Sequence, residues 1–141
     1  GYVEAPWEIE AFLEHTDENL VGLVFDTGHY LYGSGTPEGE LVLDGLEAFK
    51  SRIWYVHYKD CSPAVATRAR GEGWNYKEAI ANGVFCELGK GSIDFARVTR
   101  KLRQIGYDGW ITVEQDVLPG MGEPKESARH NREYLRAVTG I

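Results

Sequence analysis

The chain has 141 residues, of which 43% are hydrophobic and 26% are charged, as is usual for one globular domain. It contains no apolar run of about 18 residues, so no membrane-spanning helix and no membrane partner are expected. A net charge of −7 argues against a surface that follows nucleic-acid phosphates. Cys61 and Cys86 form no CxxC pair, which favours free thiols and a cytoplasmic location.

Helices and strands are predicted to alternate along the chain. The predicted order is a helix from Pro6, a strand at 20–26, a glycine-rich loop at 30–41, a helix at 44–51, a strand at 53–59, a long connection at 60–92 with a short helix at 76–82, a helix capped by Ser92 and stopped by Gly106, a strand at 110–115, and a helix from Pro124 to Gly140. This alternation is typical of an α/β fold with a parallel sheet.

Three strands make an incomplete parallel sheet, because both outer strands leave backbone groups unpaired. A closed (β/α)8 TIM barrel takes about 250 residues. We therefore predict that the chain is the C-terminal part of such a barrel, with about three βα units. On this interpretation residues 1–141 are the C-terminal half of a single barrel domain.

Each predicted strand ends in residues that can bind a metal ion. The three strand ends read Asp26-Thr27-Gly28-His29, His57-Tyr58-Lys59-Asp60 and Glu114-Gln115-Asp116. The carboxyl ends of parallel strands share one face, and ligands bind at that face. We predict Asp26, His57 and Glu114 as ligands of one divalent cation. Their oxygen and nitrogen donors suit Mn²⁺ or Co²⁺ first, and also Mg²⁺ or Zn²⁺.

Side chains alternate along a strand, so the orientation of a predicted ligand also fixes the orientation of its neighbours. If His57 faces the barrel interior, Lys59 does so too. The residues predicted to pack against the helices are then Trp54, Val56 and Tyr58. The polar members of this strand therefore fall together at the mouth of the barrel.

Other polar residues near these strand ends are candidates for catalysis or substrate binding. Gly28 is expected to allow a tight turn that lets His29 face the mouth, where it would act as an acid or contact the substrate. Lys59 is a candidate base if burial lowers its pKa; the alternative is an ion pair with Asp60. Arg68 and Arg70 are expected either to bind substrate over the mouth or to be solvated on a loop.

One glycine-rich segment, Gly89-Lys90-Gly91-Ser92, stands just before a predicted helix. Helix N-termini bind anions, but the segment lacks the spacing of a phosphate-binding loop. A tight structural turn is therefore predicted there.

These motifs resemble those of the xylose-isomerase-like superfamily of sugar isomerases and epimerases. The resemblance is carried by Asp-Thr-Gly-His at 26–29, Val-His-Tyr-Lys-Asp at 56–60 and Gly-Tyr-Asp-Gly-Trp-Ile-Thr-Val-Glu at 106–114. Within the superfamily the chain is most similar to the inosose dehydratases. The resemblance implies a TIM barrel with a divalent metal at its C-terminal mouth. It also implies that Asp26, His57 and Glu114 are the metal ligands and that His29 contacts the substrate.

The implied activity is that of a metal-dependent lyase. It would dehydrate 2-keto-myo-inositol, or a related cyclic polyol ketone, by α-proton abstraction and loss of water. Lys59 or Glu114 would be the base and His29 the acid, while His29, Arg68 and Arg70 would bind a small polyol or sugar. Three alternatives stay open: an isomerase or epimerase acting on a ketose, a partial chain without activity of its own, and, disfavoured by the acidic charge, a nuclease. Assembly of the protein as a homo-oligomer also stays open.

Overall fold

A computed structural model describes residues 3–140 as alternating helices and strands. The elements are α1 Pro6–Glu14, β1 Leu23–Asp26, α2 Thr27–Ser34, α3 Leu41–Ala48, a 3-10 turn Lys50–Arg52, β2 Ile53–Tyr58, β3 Asp60–Cys61, α4 Pro63–Glu72, α5 Tyr76–Ala81, β4 Phe85–Cys86, α6 Phe95–Gln104, β5 Ile111–Val113 and α7 Pro124–Thr139. No helix of this range is long and apolar enough to cross a membrane.

The three predicted strands form one parallel sheet in the order β1-β2-β5. Asp26 pairs with His57, and His57 pairs with Thr112, so the strand ends lie side by side. Buried residues of α2, α3, α6 and α7 join those of the sheet in one hydrophobic core. The α/β class and the parallel sheet predicted from the sequence are therefore confirmed.

The faces of β2 follow the predicted alternation with one exception. Val56 and Tyr58 are fully buried among the helices, and the Tyr58 hydroxyl lies 2.7 Å from the Thr99 hydroxyl on α6. Trp54 is instead 52% exposed, so its predicted packing against the helices is wrong. The reason is a shift of register between β1 and β2, which makes Trp54 the extra residue of a β-bulge.

Two segments predicted as loops contain helices. The predicted loop at 30–41 overlaps α2, which Asp26 caps at its start and Gly35 ends in the left-handed conformation (φ 81°). The connection at 60–92 contains α4 and the antiparallel pair β3–β4 as well as the predicted short helix α5. The buried residues of α4 are the small Ala66 and Ala69, so hydrophobic periodicity gives little signal there.

The cap of α6 lies two residues beyond its predicted place. Asp94, rather than Ser92, caps the helix, because its carboxylate accepts the N–H of Arg97 at 2.9 Å. Ser92 belongs instead to the preceding turn, where its backbone N–H donates to the Cys61 carbonyl.

The two cysteines are free thiols, and burial raises the pKa of each to about 12.

The turn at 89–92 is built around a buried carboxylate. Asp60 is fully buried, and its Oδ2 accepts the N–H groups of Gly89 and Gly91, each at 2.9 Å. Its Oδ1 accepts the N–H groups of Cys61 at 2.9 Å and Ile93 at 3.3 Å. The N–H groups that could bind an anion therefore bind this side chain, which confirms the structural turn. The alternative of a surface Lys59–Asp60 ion pair is wrong.

Replacing Asp60 by Ala should lower the free energy of unfolding by about 3 kcal/mol, because several backbone donors lose their acceptor in a buried position. Urea denaturation followed by circular dichroism measures the change. The exposed Asp108→Ala variant is the control and should stay within about 0.5 kcal/mol of the unchanged chain. Equal stability of the two variants would contradict this account of the turn.

Candidate metal centre

The two carboxylate oxygens of Asp26 have different surroundings: one caps helix α2, and the other lies near His57. It is the last residue of β1, and its Oδ1 accepts the N–H of His29 at 2.8 Å, which starts α2. Its Oδ2 is buried and has no hydrogen-bond partner among residues 3–140. Burial raises the pKa of Asp26, against the opposing effects of His29 and Lys59. A buried carboxylate oxygen without a partner is costly unless a cation or donor meets it.

The other two predicted ligands lie beside that oxygen. His57 Nδ1 is 3.5 Å from Asp26 Oδ2 and 2.7 Å from Glu114 Oε2. Glu114 directly follows β5, and its N–H donates to the Tyr58 carbonyl at 3.0 Å. Asp26, His57 and Glu114 each offer one ligand atom, and all three atoms lie within 4.8 Å of one another. The structure therefore brings the three predicted ligands together.

This donor set fits a divalent cation. Metal–ligand distances of about 2.1 Å bring ligand atoms to within about 4.2 Å of one another, so small side-chain rotations suffice here. Two carboxylate oxygens and one imidazole nitrogen suit Mn²⁺, Co²⁺, Zn²⁺ or Mg²⁺ and do not select among them. The buried oxygen of Asp26, which no described residue hydrogen-bonds, supplies the observation that favours a cation over a purely structural cluster.

Lys59 is the positive charge at this centre. Its side chain is 1% exposed, and Nζ donates to Glu114 Oε1 at 2.7 Å and to Asp116 Oδ2 at 3.0 Å. It also lies 4.5 Å above the centre of the Phe85 ring. Burial alone lowers the pKa of Lys59, but the hydrogen bonds to Glu114 and Asp116 outweigh it, and the pKa lies above its ordinary value. The expected fall in this pKa is therefore wrong.

Gly28 serves close packing instead of the predicted tight turn. It lies in the first turn of α2, and a Cβ there would come within 2.6 Å of Lys59 Cγ. The absence of a side chain lets the lysine stem pass beside the helix. Thr27 also holds the start of α2 against Lys59, because its hydroxyl donates to the Lys59 carbonyl at 2.7 Å.

His29 reaches the centre from α2, as predicted. Its Nε2 lies 3.3 Å from Lys59 Nζ and 3.4 Å from the Tyr76 hydroxyl. Its Nδ1 lies 2.9 Å from Glu4 Oε1. The imidazole also contacts the rings of Tyr76 and Phe85, with ring centres 5.9 and 4.6 Å away. The ring is therefore held on both edges and across its face.

Glu4, Tyr76 and Asp116 complete the surroundings of the centre, and the sequence assigned none of them a role. Asp116 stands two residues after Glu114, and strand alternation does predict that the two side chains face the same way. Glu4 and Tyr76 lie 25 and 47 residues from His29. No motif or periodicity links them to it, so only the fold shows these two contacts.

Arg68 and Arg70 have other partners. Arg68 Nε donates to Glu72 Oε1 at 2.8 Å, and the guanidinium lies over the Trp74 ring. Arg70 Nη2 donates to the Tyr32 carbonyl at 2.8 Å. Neither arginine is brought into contact with Asp26, His57 or Glu114, and substrate binding by them stays a prediction.

A family model described as "Xylose isomerase-like TIM barrel" matches residues 1–138. The chain belongs to the xylose isomerase-like TIM barrel family. The barrel fold predicted from the strand order is thus confirmed, and the chain forms part of such a barrel. Which half it supplies stays a prediction.

Named relatives of the chain are inosose dehydratases. It is 34% identical over 139 residues to the one from Clostridium botulinum (strain Eklund 17B / Type B), covering 99% of this chain and 45% of the relative. It is 38% identical over 133 residues to the one from Geobacillus kaustophilus (strain HTA426), covering 94% and 42%. The chain therefore spans less than half the length of these relatives.

A solved structure gives the same fold. The crystal structure of a xylose isomerase domain protein from Planctomyces limnophilus superposes with a TM-score of 0.72 at 21% identity. The match covers 100% of this chain and 47% of that one. It supports the fold of a partial barrel and carries no information on substrate.

Replacing Asp26 by Asn should weaken Mn²⁺ binding by at least about a hundredfold, because the amide replaces a ligand oxygen by a donor group. Asn is as good a helix cap as Asp, so the thermal midpoint should change little. Isothermal titration calorimetry measures the affinity, and the exposed Asp108→Asn variant is the control. Equal Mn²⁺ affinity in Asp26→Asn and Asp108→Asn would contradict the assignment of Asp26 as a ligand.

Proposed function

We propose that the chain supplies the metal centre and acid–base groups of an enzyme that dehydrates 2-keto-myo-inositol or a related cyclic polyol ketone. The observation that carries the proposal is the contact of Lys59 Nζ with Glu114, one of the three residues suited to a cation. The relatives named inosose dehydratase supply the reaction class. The cytoplasmic location and a small-molecule substrate belong to the same proposal.

Dehydration next to a ketone needs three things: acidification of the α-hydrogen, a base, and a proton for the departing hydroxyl. A bound divalent ion would supply Lewis-acid polarisation of the carbonyl. Glu114 would take the α-proton, because one carboxylate oxygen faces the centre. Lys59, already donating to Glu114 and Asp116, would give a proton to the β-hydroxyl, which leaves as water.

The groups around the centre also suit a polyol. His29 presents Nε2 toward Lys59, and Tyr76 presents a hydroxyl to the same nitrogen. An imidazole nitrogen and a phenol can each exchange these contacts for hydrogen bonds to substrate hydroxyls. Glu114 as the base and His29 as a substrate contact are among the roles expected from the sequence, whereas Lys59 changes from a candidate base to the acid.

The test uses the gene product that contains this chain, loaded with Mn²⁺ or Co²⁺ and given 2-keto-myo-inositol. Mass spectrometry should show a product lighter by one water. A product of equal mass but different configuration would overturn dehydration in favour of epimerisation. No conversion with either ion would overturn the proposal as a whole.

Lys59→Met should lower turnover by at least about a hundredfold while Mn²⁺ affinity falls less than about tenfold, because the variant loses an acid but keeps the three metal ligands. His57→Ala should lose both turnover and Mn²⁺ binding. Turnover and calorimetric titration are compared with the exposed control Lys125→Met, which should match the unchanged protein. Normal turnover in Lys59→Met would remove this residue from the mechanism.

A further inference from the structure

His29 has a defined donor edge and a defined acceptor edge. On one side, Nδ1 faces Glu4 Oε1 at 2.9 Å, and a carboxylate can only accept there. On the other side, Nε2 faces Lys59 Nζ at 3.3 Å and the Tyr76 hydroxyl at 3.4 Å, both of which can donate. A neutral ring satisfies both sides only with its hydrogen on Nδ1.

Glu4 is itself held in place by the fold. The Glu8 carboxylate accepts the backbone N–H groups of Glu4 at 3.1 Å and Ala5 at 3.0 Å, which fixes the start of α1. Gly33 of α2 packs against the same segment, because a Cβ at that position would lie 2.8 Å from the Glu4 carbonyl carbon. The side chains of Glu4 and His29 are only 18% and 19% exposed. This contact is therefore a built part of the fold.

We propose that Glu4 is a positioning residue for His29. It holds the hydrogen on Nδ1 and so keeps Nε2 as an acceptor aimed at the centre, ready for a hydroxyl of the substrate. Glu4 contacts no reacting atom and acts only through the ring of His29. The identity of that hydroxyl rests on the proposed function, whereas the tautomer does not.

The tautomer is read by NMR of the ¹⁵N-labelled chain, using long-range couplings in the imidazole rings. Four histidines are present, and a His29→Gln variant assigns the signals of His29. The expected pattern in the unchanged chain is a protonated Nδ1 and an unprotonated Nε2. A protonated Nε2 would overturn the proposal, whatever the activity of the protein.

Variants then test whether Glu4 causes this state. Glu4→Gln keeps an acceptor oxygen and should keep the tautomer, whereas Glu4→Leu should shift the ring toward a mixture of both tautomers. Glu4→Asp, one methylene shorter, gives a second test if the Leu variant folds poorly. An unchanged His29 pattern in the variants that lose the contact would show that Lys59 and Tyr76 suffice, and would overturn the role of Glu4.

Turnover gives a second readout in the active protein. Glu4→Leu should lower kcat/KM about 10- to 100-fold, as loss of a partner that orients a site residue does, and Glu4→Gln should recover most of it. Glu10→Gln, which changes an exposed carboxylate on α1, is the control and should leave both readouts unchanged. Equal losses in Glu4→Leu and Glu4→Gln would contradict positioning through the acceptor oxygen.

Discussion

A single buried ammonium group balances the carboxylates that converge at the end of the sheet. Lys59 Nζ contacts Glu114 and Asp116 directly, and Asp26 lies close enough to favour the charged lysine. Removing one partner of a buried ion pair is costly because the remaining charge stays desolvated. The lysine therefore constrains the positions of Glu114 and Asp116, the two acids that it contacts.

Two glycines make this arrangement sterically feasible. Gly28 lets the stem of Lys59 pass beside α2, and a Cβ at Gly91 would collide with Asp60 Oδ1. Both positions bring a backbone close to a buried charged side chain, where a larger residue would displace it. The adjacent residues Lys59 and Asp60 thus have different roles. Lys59 contacts the acids at the centre, and Asp60 binds the turn that follows β4.

The sequence predicts the strand ends well because a short apolar run followed by polar residues is a local pattern. Asp26, His57 and Glu114 were found in this way, and the fold brings them together. The sign of the Lys59 pKa shift was not predictable, because its carboxylate partners lie 55 and 57 residues further along the chain. The contact of Glu4 with His29 was missed for the same reason. Long-range charge contacts leave no periodic trace in a sequence.

The centre also shows how one carboxylate can serve the fold and the chemistry together. Asp26 uses one oxygen to start α2, and the other has no hydrogen-bond partner in the described part of the chain. Glu114 gives one oxygen to Lys59 and turns the other toward His57. Each side chain is thus oriented by a contact that a cation would not need to break. Such a centre would be preorganised for the proposed cation, because the free energy of orienting the two carboxylates is met by folding and not by metal binding.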